Sequence, residues 1–311
     1  MEHTHKSVLL DESVEALAIR PEGTYVDGTL GRAGHSREIA KRLTTGRLIC
    51  IDPDIAAIEA AEGLLAPWRD RVRLVHGNFA ALAEVLADTE GVDGMLFDLG
   101  VSSPQLDDPE RGFSYMRDAP LDMRMDRSAP LTAREVVNDW SLEELRRILY
   151  DFGEERYAPA IARAIVKRRG DRPIETTLEL VEIIKSAMPS AALREKQHPA
   201  KRSFQAVRIA VNGELDALPP MLRAAVDKLR PGGRLAVITF HSLEDRIVKR
   251  TLRELAQGCT CPPAFPVCVC GKKPLVRLGK SFTPTAAEVE ENPRARSARL
   301  RTAEKLDLMD I

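Results

Sequence analysis

The chain has 311 residues, 44% of them hydrophobic and 30% charged, which excludes a disordered polypeptide and leaves room for one large or two modest domains. Its 46 Lys plus Arg against 47 Asp plus Glu leave a net charge of −1, which excludes a uniformly basic nucleic-acid coat but not a local basic groove. No apolar run approaches the ~18 residues of a membrane span, and the N-terminal MEHTHKSVLLDES lacks the regions of a secretory signal, so the expected compartment is the cytoplasm.

The first hundred residues alternate strand and helix. Residues 24–27 form a short β run that enters the Gly-rich stretch GTLGRAG, and 36–43 follow as a helix with Ser36 as its expected N-cap. Residues 47–52 (RLICID) predict a second strand, 56–66 a helix, 72–76 a third strand and 92–98 (VDGMLFD) a fourth. Near-continuous apolar strands between helices predict a parallel sheet covered on both faces. From about 103 to 200 the alternation stops. Ser141 with Glu144 and Thr176 with Glu179 have the spacing of capping boxes, and 158–169 is amphipathic, so this stretch reads as helical. The α/β pattern then resumes. Residues 204–229 read as helix broken at Pro219-Pro220, 231–233 as a turn, 234–240 as a buried strand and 243–256 as a helix. Two antiparallel strands are expected near 274–282 and 297–306. The predicted domains are 1–103 with 204–311, and a helical insertion over 104–203.

The chemistry concentrates at acidic strand ends. In open parallel sheets ligands bind beyond the carboxyl ends of the strands. There the first strand runs into DGTLGRAGHS, and the second ends in Asp52, about 20 residues beyond Gly31, a spacing that suits a carboxylate accepting both ribose hydroxyls. The alternative is a Gly-rich turn beside a solvated acid. Gly28, Gly31 and Gly34 are spaced by three, not as G-x-G-x-x-G, which favours a nucleoside without pyrophosphate and disfavours a dinucleotide oxidoreductase. Phe79 in HGNF can pack on a purine or belong to the core.

The segments HKSVLLDE, DGTLGRAGHS, FDLGVSSPQLD, RGFS, PLDMRMD, GEER, KRSFQAVRIAVNGEL, PGGRL, FHSLEDRIVKR and NPRARSARLR, spread from His5 to Arg301, resemble the MraW/RsmH family of ribosomal RNA methyltransferases. The resemblance implies a Rossmann-like S-adenosylmethionine methyltransferase sheet with an inserted α-helical domain that serves substrate recognition. It implies transfer of methyl from S-adenosylmethionine to N4 of a cytidine in the decoding region of 16S ribosomal RNA, within the small ribosomal subunit. It places cofactor contacts on Ala33, Gly34, His35, Asp52, Phe79, Asp98 and Gln105. Where the family usually has Gly, this chain has Ala33, tolerable at negative φ and costly at positive φ. The exocyclic amine is expected to attack the methyl directly, because FDLGVSSPQ offers no cysteine nucleophile for C5 chemistry. Asp98, or a carbonyl between Leu99 and Pro104, is placed to hold the amine hydrogens. His241 either touches the target base or anchors Glu244.

Cys259, Cys261, Cys268 and Cys270 lie within twelve residues, as C-T-C-P-P-A-F-P-V-C-V-C, and four thiolates suit a structural zinc ion; the alternative is a set of plain thiols. Cys50, in an apolar strand, reads as core. Basic residues form three groups, represented by Arg202 and Arg208, by Lys249 and Arg250, and by Arg294 to Arg301, each either a solvated face or part of a phosphate-binding channel for RNA. Three readings compete: an RNA amino-methyltransferase, a methyltransferase acting on another substrate, and a non-catalytic ribosome-assembly factor. Retention of Gly34, Asp52 and Asp98 disfavours the last.

Overall fold

Four apolar runs form the parallel strands implied by the alternation: β1 (Thr24–Asp27), β2 (Arg47–Asp52), β3 (Val72–His76) and β4 (Val92–Asp98). The computed structural model describes residues 7–262, 267 and 269–307. It divides into two units, Met1–Gly100 with Leu215–Ile311, and Val101–Glu214.

In the first unit β5 (Leu229–Thr239), β6 (Val276–Phe282) and β7 (Arg299–Lys305) complete a seven-stranded sheet of order β3-β2-β1-β4-β5-β7-β6. β1 pairs with β2 and β4 in parallel, and β4 with β5 in parallel. β7 is antiparallel to both its neighbours. The chain moves outward from β1 to β2 and β3, then returns to β4 on the other side of β1. The crossovers therefore diverge between β1 and β4, which opens a crevice at the carboxyl ends of those strands. Apolar side chains from β1, β2, β4 and β5 pack with Ile39 and Ala40 of the helix Gly34–Arg42 and Ile58 and Ala61 of Ile55–Leu64 in one core.

The second unit is helical. Among its described residues the only β pairing is one isolated bridge, Pro120 with Thr176. Both expected capping boxes are present: Ser141 and Glu144 open Leu142–Asp151, and Thr176 and Glu179 open Thr177–Ser186. A third, Thr132 with Glu135, opens Ala133–Asp139. The insertion runs past residue 203, because Phe204, Ala206, Val207 and Val211 of the helix Lys201–Asn212 belong to this unit's core.

Three local expectations are corrected. The helix break falls at Gly213, whose φ of 62 ends Lys201–Asn212; Pro219 and Pro220 lie in the first turn of Leu218–Lys228, where a missing N–H costs nothing. Residues 231–233 are an irregularity inside β5, not a separate turn. The pairing jumps from Val92–Leu229 to Gly94–Arg234, and Gly232 takes a φ of 78. Ser36 is not an N-cap: the helix begins at Gly34 with Ala33 as its cap residue, and the Ser36 hydroxyl turns inward to Asp27.

No described helix is long and apolar enough to cross a membrane.

Candidate active site

Asp27, Asp52 and Asp98 end β1, β2 and β4, three adjacent strands of one parallel sheet, so all three carboxyls belong to the same sheet edge. Asp27 was read only as the start of the Gly-rich stretch, yet it is the deepest of them, 1% exposed. Its Oδ2 accepts the Ser36 hydroxyl (2.6 Å) and its Oδ1 the Thr29 amide (3.1 Å). Asp52 accepts the Gly31 amide at Oδ2 (2.8 Å) and the Asp54 amide at Oδ1 (2.9 Å). Each ionised carboxylate oxygen accepts more than one hydrogen bond, so Asp52 holds the Gly-rich loop while keeping lone pairs for a ligand. The Asp98 amide donates to Thr29 Oγ1 (2.5 Å), which ties β4 to the same loop. Asp98 Oδ1 is buried and has no hydrogen-bond partner among the described residues.

The loop glycines serve packing as well as approach. A Cβ on Gly28 would lie 2.2 Å from the Phe97 ring, and one on Gly34 would lie 1.9 Å from Ser7 Oγ. Ala33 adopts φ 57 and ψ 22, fully buried, so its extra methyl falls in the costly left-handed region, a strain of about 1–2 kcal/mol. His35 is buried behind it. Its Nε2 faces the Val8 carbonyl (3.2 Å), and a carbonyl only accepts, so Nε2 carries the hydrogen. Nδ1 then presents its lone pair toward Asp98 Oδ2, 3.7 Å away. Phe79 begins a short 3₁₀ turn after β3 and meets the Phe97 ring edge to face at 6.3 Å.

Burial sets the protonation of this cluster. It pushes Asp27 and Asp52 up to about 6 each, against the hydrogen bonds from Ser36 and Thr29 at one and from Gly31 and Asp54 at the other. It raises Asp98 well above the carboxylate range, helped by the charges of Asp27 and Glu244. It lowers His35 to about 4, so the ring is neutral at physiological pH. A neutral His35 brings no positive charge that would offset the rise at Asp98.

Asp27 carries a testable cost. Its folded pKa of about 6 exceeds the ordinary 3.8, so its ionised form destabilises the fold. The cost is absent below about pH 4, grows between about 4 and 6, and is complete above, on the order of 2 to 3 kcal/mol. Asp27→Asn keeps an oxygen for the Thr29 amide and should melt higher than wild type at about pH 7.5, the gap closing near pH 4.5. A variant no more stable at the higher pH would show that the buried charge carries no such cost.

The remaining predicted residues are more scattered. His241 caps the helix Ser242–Ala256: its Nδ1 accepts the Glu244 amide (3.4 Å) and its Nε2 lies 3.1 Å from Glu244 Oε1. Both ring nitrogens thus face Glu244, which favours the anchoring role over base contact. Gln105, buried in the second unit, closes a capping box with Ser102. Arg202 is exposed and donates to the Glu154 carbonyl. Arg208 differs from expectation. It is only 18% exposed and grips Glu214 through two bonds of 2.9 Å, so its guanidinium serves a carboxylate instead of a phosphate. Lys249 and Arg250 are exposed on Ser242–Ala256 and line one groove with Arg246 and Arg253. Cys50 is buried against the Ser36 hydroxyl, and burial pushes its thiol well up, as a core residue requires.

The model of the MraW methylase family matches residues 2–306. The chain belongs to the MraW methylase family. It is a methyltransferase, and its sheet is the Rossmann-like one of such enzymes, with the antiparallel β7 entering between β5 and β6. Two relatives named Ribosomal RNA small subunit methyltransferase H span it nearly end to end. The protein from Brevibacillus brevis is 56% identical over 307 residues, 97% of this chain and 98% of that one. The one from Symbiobacterium thermophilum is 58% identical over 308 residues, 97% of this chain and 96% of that one. Ala33 is a strained but accommodated residue: the helix it caps is formed.

Proposed function

We propose that this protein methylates N4 of a cytidine in the decoding region of 16S ribosomal RNA, in the small subunit, using S-adenosylmethionine. One observation carries the reading: Asp98 ends β4 beside the β1–β4 crevice with a buried oxygen that lacks a donor. The donor set fits a cationic nucleoside there. Asp52 has acceptor capacity for ribose hydroxyls, Ala33 caps and Gly34 and His35 open the adjoining helix, and Phe79 stands just after β3 as an apolar wall. The names of the relatives supply the substrate class.

When bound, S-adenosylmethionine would supply an electrophilic methyl on a cationic sulfonium, whose carbon–sulfur bond would break with its electron pair left on a neutral thioether. Three crowded carboxyls, each raised by burial, form an edge whose ionised forms are stabilised by positive charge. Asp98 in its ionised form accepts a hydrogen of the cytidine amine, which localises the nitrogen lone pair, and then takes the proton that the nitrogen loses as its new bond to carbon forms. His35 limits where Asp98 points. No covalent bond between enzyme and RNA is needed. The test is to incubate the protein with S-adenosylmethionine and undermethylated small subunits and map the modified nucleotide by mass spectrometry. N4-methylcytidine in the decoding region is expected; methyl on another base, or on protein alone, overturns the reading.

RNA affinity should rest on the exposed cations. Lys249→Ala, Arg250→Ala and Arg202→Ala should each weaken RNA binding and reduce the slope of log affinity against log salt by about one unit, since one fewer counterion is released. Arg208→Ala, with its guanidinium bound to Glu214, should act on the stability of the helical unit instead. Filter binding over a salt series decides; unchanged slopes for all three exposed cations would reject their role in phosphate binding.

A further inference from the structure

The segment between the helix Ser242–Ala256 and β6 has no helix or strand among its described residues. Its base is closed by the Leu275 amide on the Leu255 carbonyl (2.8 Å) and by Lys272 Nζ near Gln257 Oε1 (3.5 Å). The described part beyond that base is not held by apolar packing, since Val267 is 70% and Val269 75% exposed. Yet three thiols converge in it. The sulfurs of Cys259, Cys261 and Cys270 all lie within 4.8 Å of one another.

We propose that Cys259, Cys261 and Cys270 bind one structural zinc ion that staples this segment. The geometry distinguishes the candidates. Cys259 Sγ and Cys270 Sγ are 3.7 Å apart. A disulfide needs about 2.05 Å. Two thiolates on a tetrahedral zinc at about 2.3 Å stand about 3.8 Å apart, along one edge of the tetrahedron. Cys261 supplies the third vertex, and its amide donates to Cys259 Sγ (3.4 Å), the kind of N–H bond that stabilises a metal thiolate. Thiolates select soft or borderline cations over magnesium or calcium. Among the described residues none of the cysteines is in a disulfide. Cys268, read with this group in the sequence, lies outside the described residues.

None of Asp27, Asp52 and Asp98 belongs to the thiol cluster, so the role assigned to the metal is to hold chain and not to act on the methyl. The full-length protein, purified under reducing conditions without added metal, should contain about one zinc per chain by elemental analysis. After zinc removal, cobalt should bind and give thiolate-to-cobalt charge-transfer absorption. Cys261→Ser and Cys270→Ser should each lose zinc at least tenfold more readily to a chelator and lose that absorption, while circular dichroism and S-adenosylmethionine binding stay at wild-type levels. Zinc-free protein that gives no thiolate–cobalt band overturns the proposal. So does a Cys259–Cys270 disulfide found by mass spectrometry in protein prepared with reductant.

Discussion

Asp52→Ala should bind S-adenosylmethionine roughly a hundredfold more weakly than wild type, a loss of about 2.7 kcal/mol. In the proposed reading the carboxylate would contribute two charge-assisted hydrogen bonds to ribose hydroxyls, each worth about 1.5–3 kcal/mol before water compensates the variant. The same side chain holds the Gly31 and Asp54 amides, so part of the loss comes through a looser loop. That part is separable. Melting temperature reports the loop and fold, whereas calorimetric titration reports the affinity. Wild-type affinity in a folded variant would remove Asp52 from the cofactor site. Affinity should also fall as pH drops through about 6, since a carboxyl held there by burial becomes protonated and loses its charge.

Asp98→Asn should be the more damaging change for turnover, about 10² to 10⁴-fold. Asparagine keeps the shape and one acceptor oxygen, but it cannot take a proton. Cofactor binding should fall much less than turnover, which separates proton transfer from binding. The pH profile adds a second readout. Asp98 is raised well above ordinary carboxyls by burial and by Asp27 and Glu244. Its base form therefore appears only as pH rises, and wild-type activity should climb along a limb lying above the usual carboxylate range. That limb should be missing in Asp98→Asn. Full turnover in the variant, or an unchanged limb, would transfer the proton acceptor elsewhere.

Much of this site was legible because parallel strands buried on both faces are almost wholly apolar, so a terminal Asp in RLICID or VDGMLFD stands out. The same reasoning passed over Asp27. It precedes glycine and merges with the loop in sequence, and only its bonds to Ser36 and Thr29 show it as a buried member of the acid cluster. The cap of the following helix was misplaced because Ser36 has the right chemistry for capping, while a left-handed Ala33 leaves no trace in propensity. Arg208 looked like a free cation because its partner Glu214 lies six residues on, past the helix end at Gly213, outside any i,i+3 or i,i+4 pattern. The capping boxes at Ser141 and Thr176 were readable for the opposite reason: their partners sit at a fixed local spacing.

The placement of β7 has a consequence for how the polypeptide reaches its native state. The strand latest in the chain is not at the rim but wedged between β5 and β6. β4 must also wait for β5, since the whole of Val101–Glu214 separates their parts of the chain. Closing such a span as flexible chain would cost about 2 kcal/mol more than closing a short loop of ~15 residues, which a prior collapse of the insertion avoids. Until residues 299–305 arrive, β5 presents an open row of N–H and C=O groups, a template for pairing with other chains. Interrupted synthesis before Arg299 thus leaves a sticky edge beside a nearly finished crevice, and such fragments should aggregate before they can compete for substrate.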